Sequence, residues 1–431
     1  MNNEATAQAE EYPRWRAYYA YILLYLLYMF DYIDRFVIVS LFPFLKTDWG
    51  LSDAQCGMLV SAVFWSILVF ALPIGALVDR WSRKKSIGVM SIIWGLATAG
   101  GAITQSFGQI FATRCIVGVG EAGYVPGGAA IISAVFKPEL RARMIGIWQS
   151  AIPLGQALGI AIGGIIAVSL GWRHALGIVA IPGIIIAIMF FWVKDYKTIQ
   201  LEKSVSKADS VAKVKMSKIE DVKELFRSKS LVLDNFGFAA CQFATVGLST
   251  WLPAYFQRFE GMSIQSSGLM ASVVMVLAII GAPVGGFLTD LWLRKRSNAR
   301  LLLPAITTII AAVLMFVAFS FHGSLQFGFL LAMGFFVIMF APGAVAVTQD
   351  VVHPGLRSTS NSINVIIQHI LGSAMGPLVI GLVSDMYGLD VALKFLPIFL
   401  VVAGILFFSG SFFYKKDLDA VEKVKIEFEP A

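Results

Sequence analysis

The chain is 431 residues long, 58% hydrophobic and only 14% charged, with a mean hydropathy of +0.76, whereas a soluble domain carries about 25% charged residues. That excludes a soluble enzyme or binding module, and it makes the formal charge of +7 a matter of how loops sit at a membrane rather than of nucleic-acid binding. Cys56, Cys115 and Cys241 all lie in apolar runs without metal-ligand or redox spacing, so they read as small packing residues and imply no disulfide framework.

At the N-terminus Glu4, Glu10 and Glu11 precede Arg14 and Arg16, which is neither a basic n-region nor a cleavage signal. The first apolar run is too long for a signal peptide and is expected to stay in the mature protein. At about 20 apolar residues per crossing, spans 1 to 6 are expected near 18–45, 55–78, 86–104, 108–135, 143–169 and 172–193. Spans 7 to 12 follow near 231–257, 264–289, 301–321, 325–350, 357–383 and 389–414. The expected organisation is an all-α integral membrane protein. It has a tail at 1–17, a six-helix bundle at 18–193, a linker at 194–230, a second six-helix bundle at 231–414 and a tail at 415–431. The linker is basic and poor in large apolar residues; it reads as a solvated connection, or, over Ile219 to Phe226, as a short amphipathic helix on anionic headgroups.

Lys and Arg alternate between the loops. Arg80, Arg83, Lys84 and Lys85 follow span 2, Lys137, Arg141 and Arg143 follow span 4, Arg294, Lys295, Arg296 and Arg300 follow span 8, and Arg357 follows span 10. With both tails and the linker this side holds 28 of the 34 basic residues, while only Lys46, Arg173, Arg258 and Lys394 fall on the other. The bias predicts a multi-pass protein of the inner (plasma) membrane with both termini cytoplasmic. The last two basic residues, Arg35 and Arg114, lie inside spans.

Span 1 therefore sets Asp31, Asp34 and Arg35 in an apolar run, at i, i+3 and i+4, spacing expected to gather them on one face. Each such charge costs about 2.5–3.5 kcal/mol at a helix centre, so it marks a functional site by default. Span 4 carries Arg114 and Glu121, seven residues apart and so on one face about 10 Å apart along the axis, with Gly118 between them leaving room. A carboxylate in low dielectric gains proton affinity from desolvation and loses it to a nearby guanidinium, so an anion that occupies Arg35 or Arg114 would release Asp34 or Glu121 to take up a proton. Asp34 and Glu121 are the expected proton carriers, and the part played by Asp31 is open. The competing reading is a set of ion pairs that only lock span 1 against span 4, although small apolar residues would do that at less cost.

The two halves repeat in one orientation. Gly75-x-x-x-Asp79-Arg80-x-x-Arg83 after span 2 is echoed by Gly286-x-x-x-Asp290-x-x-x-Arg294 after span 8, and Gly155, Gly159 and Gly164 in span 5 match Gly372, Gly376 and Gly381 in span 11 at a constant offset of 217. Asp79, Arg80, Arg83, Asp290 and Arg294 are expected to gate; the alternative, that the basic residues there only fix topology, is opposed by the doubled Asp spacing. In span 11, Asn361, Asn364 and Gln368 share a face and are expected to line a cavity opposite span 1 and contact substrate. His369 reads as a packing residue or a proton relay, and Trp251 and Tyr255 as interface anchors or cavity walls. No nucleotide loop, zinc-ligand spacing or activated nucleophile is visible, so an enzyme is not expected.

Six-helix halves related by an axis along the membrane normal describe the major facilitator superfamily, whose substrate site lies at their interface. At Tyr32-Ile33-Asp34-Arg35-Phe36, Gly118-Val-Gly120-Glu121-Ala122-x-Tyr124, Arg141-x-Arg143-Met144 with Ala151-Ile-Pro153-x-Gly155, and Arg357-Ser-Thr359 with His369-Ile-Leu371-Gly372, the chain resembles the Spinster-type carriers of that superfamily. The anion:cation symporters of organic and sugar acids share Tyr-x-Asp-Arg and the Arg/Glu pair of span 4. The resemblance implies a monomeric carrier without cofactor, driven by the proton gradient, whose partners are the bilayer, protons and an anionic or zwitterionic amphiphile such as a lysolipid. It further implies Asp34 and Glu121 in protonation, and Arg35 and Arg114 in coupling or substrate contact. Spinster carriers often have an acidic residue after the span 11 glycine, where this chain has Ser373.

Overall fold

The computed structural model describes residues 13–136, 138–193, 225–353 and 356–421, and among these every regular element is helical. Ten helices are long and apolar enough to cross a membrane on length and composition alone. The two expected spans missing from that set are spans 1 and 4, the two that carry a buried arginine. Span 1 is one helix, Arg14–Trp49, about 54 Å long, diluted by Asp31, Asp34, Arg35 and its tyrosines. Span 4 is divided into Phe107–Glu121 and Tyr124–Val135. Pro126 has no N–H to give the Ala122 carbonyl, so the helix breaks directly after Glu121.

The other spans are Asp53–Arg80 (span 2), Arg83–Gly100 (span 3), Ala151–Leu170 preceded by Pro138–Gln149 (span 5), Trp172–Phe190 (span 6), and Lys229–Phe259 (span 7). Span 8 is Ile264–Val276 with Ala278–Leu293, span 9 is Ala299–Ala318, and span 10 is Gly323–Phe336 with Ala341–Asp350. Span 11 runs through Arg357–Ile367, a π-turn at Gln368–Ser373 and Met375–Tyr387, and span 12 through Leu389–Lys394 and Leu396–Ala420. The π-turn precedes Pro377, which cannot donate to Ser373. The linker helix considered above falls at 219–224 outside the described residues, as do both extreme tails.

Glycines show how the spans fit. A Cβ on Gly155 would meet the Met29 carbonyl and lie 2.7 Å from Tyr32 Cβ, and one on Gly159 would lie 2.7 Å from the Ile33 oxygen, so spans 5 and 1 touch backbone to backbone. The C-terminal half repeats this: Gly372 would meet the Ala239 oxygen at 2.6 Å and Gln242 Cβ at 2.8 Å, and Gly376 the Phe243 oxygen at 2.6 Å. Gly118 and its counterpart Gly334 face the carbonyls of Val63 and Val274. Gly118 thus makes room for span 2 and not for a ligand between Arg114 and Glu121. Small residues at crossings are what helix association in lipid needs, because contact there rests on close packing. By these contacts, the C-terminal counterparts of Asp31, Asp34 and Arg35 are Cys241, Ala244 and Thr245, all neutral.

The same glycines join the halves. Gly57 faces the Pro377 carbonyl, Gly381 lies against Asp53, Gly268 would approach the Ile160 oxygen at 3.2 Å, and Ser272 Oγ donates to the Ala157 carbonyl at 2.7 Å. Spans 2 with 11 and 5 with 8 therefore form the seam. At the end away from the basic loops the seam closes on Asp53. Its carboxylate, 3% exposed, accepts from Arg258 Nη1 and Nη2 at 2.6 and 2.7 Å, from Lys46 Nζ at 2.5 Å and from Ser384 Oγ at 2.5 Å. Asp385 in turn caps span 2, accepting from the backbone N–H of Asp53 and Ala54 at 2.8 Å each. All four basic residues expected at this end are ion-paired, the others being Arg173 with Asp48 and Lys394 with Asp390.

Trp251 and Tyr255 are neither interface anchors nor cavity walls. Both are fully buried, Trp251 donating to the Pro377 carbonyl at 2.9 Å and Tyr255 accepting from Gln326 at 3.0 Å. The three cysteines are free, two of them buried.

Candidate functional site

In the middle of span 1 the side chain of Arg35 points back toward the helix start, as long helical side chains do. Its Nη2 donates to Asp31 Oδ2 at 3.1 Å, one turn back, and to Glu121 Oε2 at 2.7 Å on span 4. The break after Glu121 places this carboxylate at a helix C-terminus, where the backbone potential is already negative. Tyr124, just beyond the break, donates its hydroxyl to the Leu24 carbonyl, which also accepts from Trp148 Nε1 at 3.3 Å, so the second half of span 4 is held to span 1.

Two aromatic rings wall the guanidinium, Tyr32 with its centroid 4.4 Å from Arg35 Cζ and Phe64 of span 2 at 5.1 Å. Both contacts favour a cation. The cluster is buried, with Arg35 5%, Asp31 1% and Glu121 3% exposed. One nitrogen thus serves two carboxylates, and Asp31 Oδ1, Glu121 Oε1 and Arg35 Nε are buried with no hydrogen-bond partner. Two carboxylates therefore face one guanidinium.

Asp34 and Arg114 form a second layer. Arg114 Nη1 donates to the backbone carbonyl of Asp34 at 2.8 Å, and its Nη2 reaches Thr98 Oγ1 of span 3 at 3.5 Å. Both Asp34 carboxylate oxygens are buried without a partner, with Phe30 beside them and span 6 at Gly183, where a Cβ would stand 4.0 Å from Oδ2. The expectation that Asp31, Asp34 and Arg35 gather on one face is corrected: successive residues turn by about 100°, so Arg35 and Asp34 diverge to opposite flanks of Asp31. Arg114 and Glu121 share a face, but their separation along span 4 sends them to different layers.

In the C-terminal half, Asn364 Nδ2 donates to Asn235 Oδ1 at 2.7 Å and Gln368 Nε2 donates to Asn364 Oδ1. This ladder ties span 11 to span 7 with Asn364 and Gln368 buried, whereas Asn361 is exposed. The shared-face expectation for the three is thus replaced by a bonded pair and one open amide. His369 sits in the π-turn, with Nδ1 buried and unpartnered and its ring 5.7 Å from that of Phe64, so Phe64 lies between Arg35 and span 11. Among the expected gating residues, Asp290 and Arg294 are exposed at the basic end of span 8; the side chains of Asp79, Arg80 and Arg83 lie outside the described residues. Sequence reasoning missed the aromatic walls and the Asp53 lock. The available signal for the lock was Lys46 and Arg258, two of the few basic residues on the less basic side.

The model of the Major Facilitator Superfamily matches residues 24–377. The sphingosine-1-phosphate transporter SPNS2 of Danio rerio is 25% identical over 91% of this chain and 84% of its own length. The hexuronate transporter of Bacillus subtilis is 26% identical over 90% of this chain and 92% of its own. The crystal structure of a bacterial homologue of the human lysosomal transporter Spinster, inward-facing and unoccupied, superimposes with a TM-score of 0.81 at 22% identity, covering 94% of this chain and 99% of that one. Two packed six-helix halves, glycine for glycine alike, with both buried arginines in one of them, are a non-enzymatic transporter's architecture, and the chain belongs to the major facilitator superfamily.

Proposed function

We propose that the protein is a proton-coupled secondary transporter that moves an organic anion by alternating access, with Arg35 as the element that trades a proton against the anion. The observation that carries this reading is the single Arg35 nitrogen shared by Asp31 and Glu121. An anion entering between Tyr32 and Phe64 competes for that guanidinium. Whichever carboxylate it displaces is left buried and uncompensated, a state that proton uptake relieves. Proton and anion are then held in one cluster and cross together. Asp34 with Arg114 forms the second protonation layer, and Asp31 joins Glu121 as its partner in the first.

Two relatives whose names state a cargo carry anions, one an amphiphilic phosphate and one a sugar acid. The shared chemistry is an anionic head, and the lysolipid-like reading leads because the Spinster-type resemblance spans the charged motifs of both halves. The alternative is a small organic or sugar acid in symport with protons, favoured by the hexuronate relative. In this reading the basic end faces the cytoplasm of the inner (plasma) membrane, the carrier is a monomer of bundles 18–193 and 231–414, and the Asp53 lock closes its outer end.

In proteoliposomes with an imposed pH gradient, Glu121→Gln and Asp34→Asn are each expected to abolish proton-driven uptake of a lysophospholipid or of a hexuronate, whichever the wild type carries. Uptake surviving in both variants would sink the coupling assignment. Asp79 and Asp290 remain the proposed gates. Asp79→Asn should leave substrate-induced thermal stabilisation unchanged and slow transport, and loss of that stabilisation would remove Asp79 from the gate.

A further inference from the structure

The C-terminal half holds a buried carboxylate that the coupling scheme does not use. Asp234, on the second turn of span 7, is 0% exposed, and both of its carboxylate oxygens are buried without a hydrogen-bond partner. It points into the interior of its own bundle. Its neighbour Asn235 takes the side toward span 11 through Asn364. One turn further along span 7, Phe238 meets Phe340 of span 10 at 4.9 Å, and Phe340 meets Phe407 of span 12 at 5.8 Å, so an apolar layer lies above the carboxylate.

The charged and titratable groups around it come from every packed element. On its own helix Cys241 lies two turns on. Span 12 brings Tyr414 and Asp417, which is occupied in accepting from Ser228 Oγ and the Ser230 N–H at 2.9 and 2.8 Å. Span 10 brings Asp350 and span 9 Arg300, which are paired with each other, and Tyr414 donates to Asp350 at 2.6 Å. Among the described residues span 11 brings the neutral Ser360 and Asn364 and, at its start, Arg357, whose Nε donates to the Gln349 carbonyl at 3.0 Å. Arg300 is spent on Asp350, although its Nε is buried and unpartnered.

We infer that Asp234 is a second proton-binding site, in the half of the carrier opposite the Arg35 cluster, and that it is protonated in this conformation. An ionised carboxylate with no donor in an apolar interior is far costlier than the neutral acid. Proton loss would leave a bare carboxylate in that interior, at the basic end of span 7. The site stands apart from Asp31, Asp34 and Glu121 and does not require them to couple transport.

Infrared difference spectroscopy of the purified full chain, recorded on stepwise acidification from an alkaline pH at which Asp234 is ionised, tests it. The wild type should show a carboxylic-acid carbonyl band that Asp234→Asn lacks, that Asp234→Glu keeps at a shifted position, and that Glu121→Gln leaves in place. Asp234→Asn should take up one proton fewer per chain. If Asp234→Asn fails to fold, the Asp234→Glu shift alone decides. Spectra in which neither variant alters any carboxylic-acid band overturn the proposal, whatever the outcome of the transport assays.

Discussion

Arg35→Gln is expected to be the most damaging single substitution in the chain, eliminating proton-driven transport and costing about 3–5 kcal/mol of stability, the usual loss when one partner of a buried ion pair is removed. Asp31 Oδ2 and Glu121 Oε2 would both lose the nitrogen that serves them, and the rings of Tyr32 and Phe64 would face a neutral amide instead of a cation. The penalty comes from the carboxylates left behind, so neutralising them should return part of it. Arg35→Gln combined with Glu121→Gln should melt above Arg35→Gln alone while remaining inactive. A double variant that melts no higher than the single one would show that Arg35 contributes by packing and not by charge balance. Arg35→Lys keeps the charge but loses the planar fork that meets two acceptors and stacks on rings, and should retain stability better than transport.

The second large effect is expected at the lock. Asp53→Ala removes an acceptor that serves Arg258, Lys46 and Ser384 together, and truncating one partner of a buried hydrogen-bonded charge pair costs about 2–5 kcal/mol. These bonds join span 2 to spans 7 and 11 across the seam. Their loss therefore falls on the conformation in which this end is closed. The lower figure already moves the equilibrium between conformations roughly 30-fold. Spin labels on either side of the seam near Asp48 and Glu260 should separate in Asp53→Ala, with the distance between the basic ends of the halves shortening. Unchanged distances would mean that the glycine seam alone sets the conformation and that the lock is incidental.

How much of this was legible in the sequence differs by feature, for physical reasons. The twelve-span plan and the charged spans were plain because a charge in an apolar run has no cheap alternative explanation. The internal repeat was plain at the glycines because only glycine fits where a carbonyl occupies the Cβ position, as at Gly155 and Gly372. Which charges meet was not legible. Asp34 and Arg35 are adjacent in sequence, and the helix turn between them, together with the backward reach of the arginine, decides that Asp31 and not Asp34 shares Arg35 with Glu121. The Asp53 lock was hidden for another reason: two of its three partners lie 205 and 331 residues away, and Ser52-Asp53 reads locally as nothing more than a helix start, which it also is, with a complete capping box.

The seam between spans 2 and 11 and between spans 5 and 8 has a consequence for what such a carrier can be adapted to do. Where Gly57 faces the Pro377 carbonyl and Gly268 faces that of Ile160, there are few side chains to re-sort if one half rolls over the other, so backbone shape is a large part of what sets friction at such a pivot. A pivot of that kind is indifferent to cargo. Selection can rewrite residues away from that joint without retuning it.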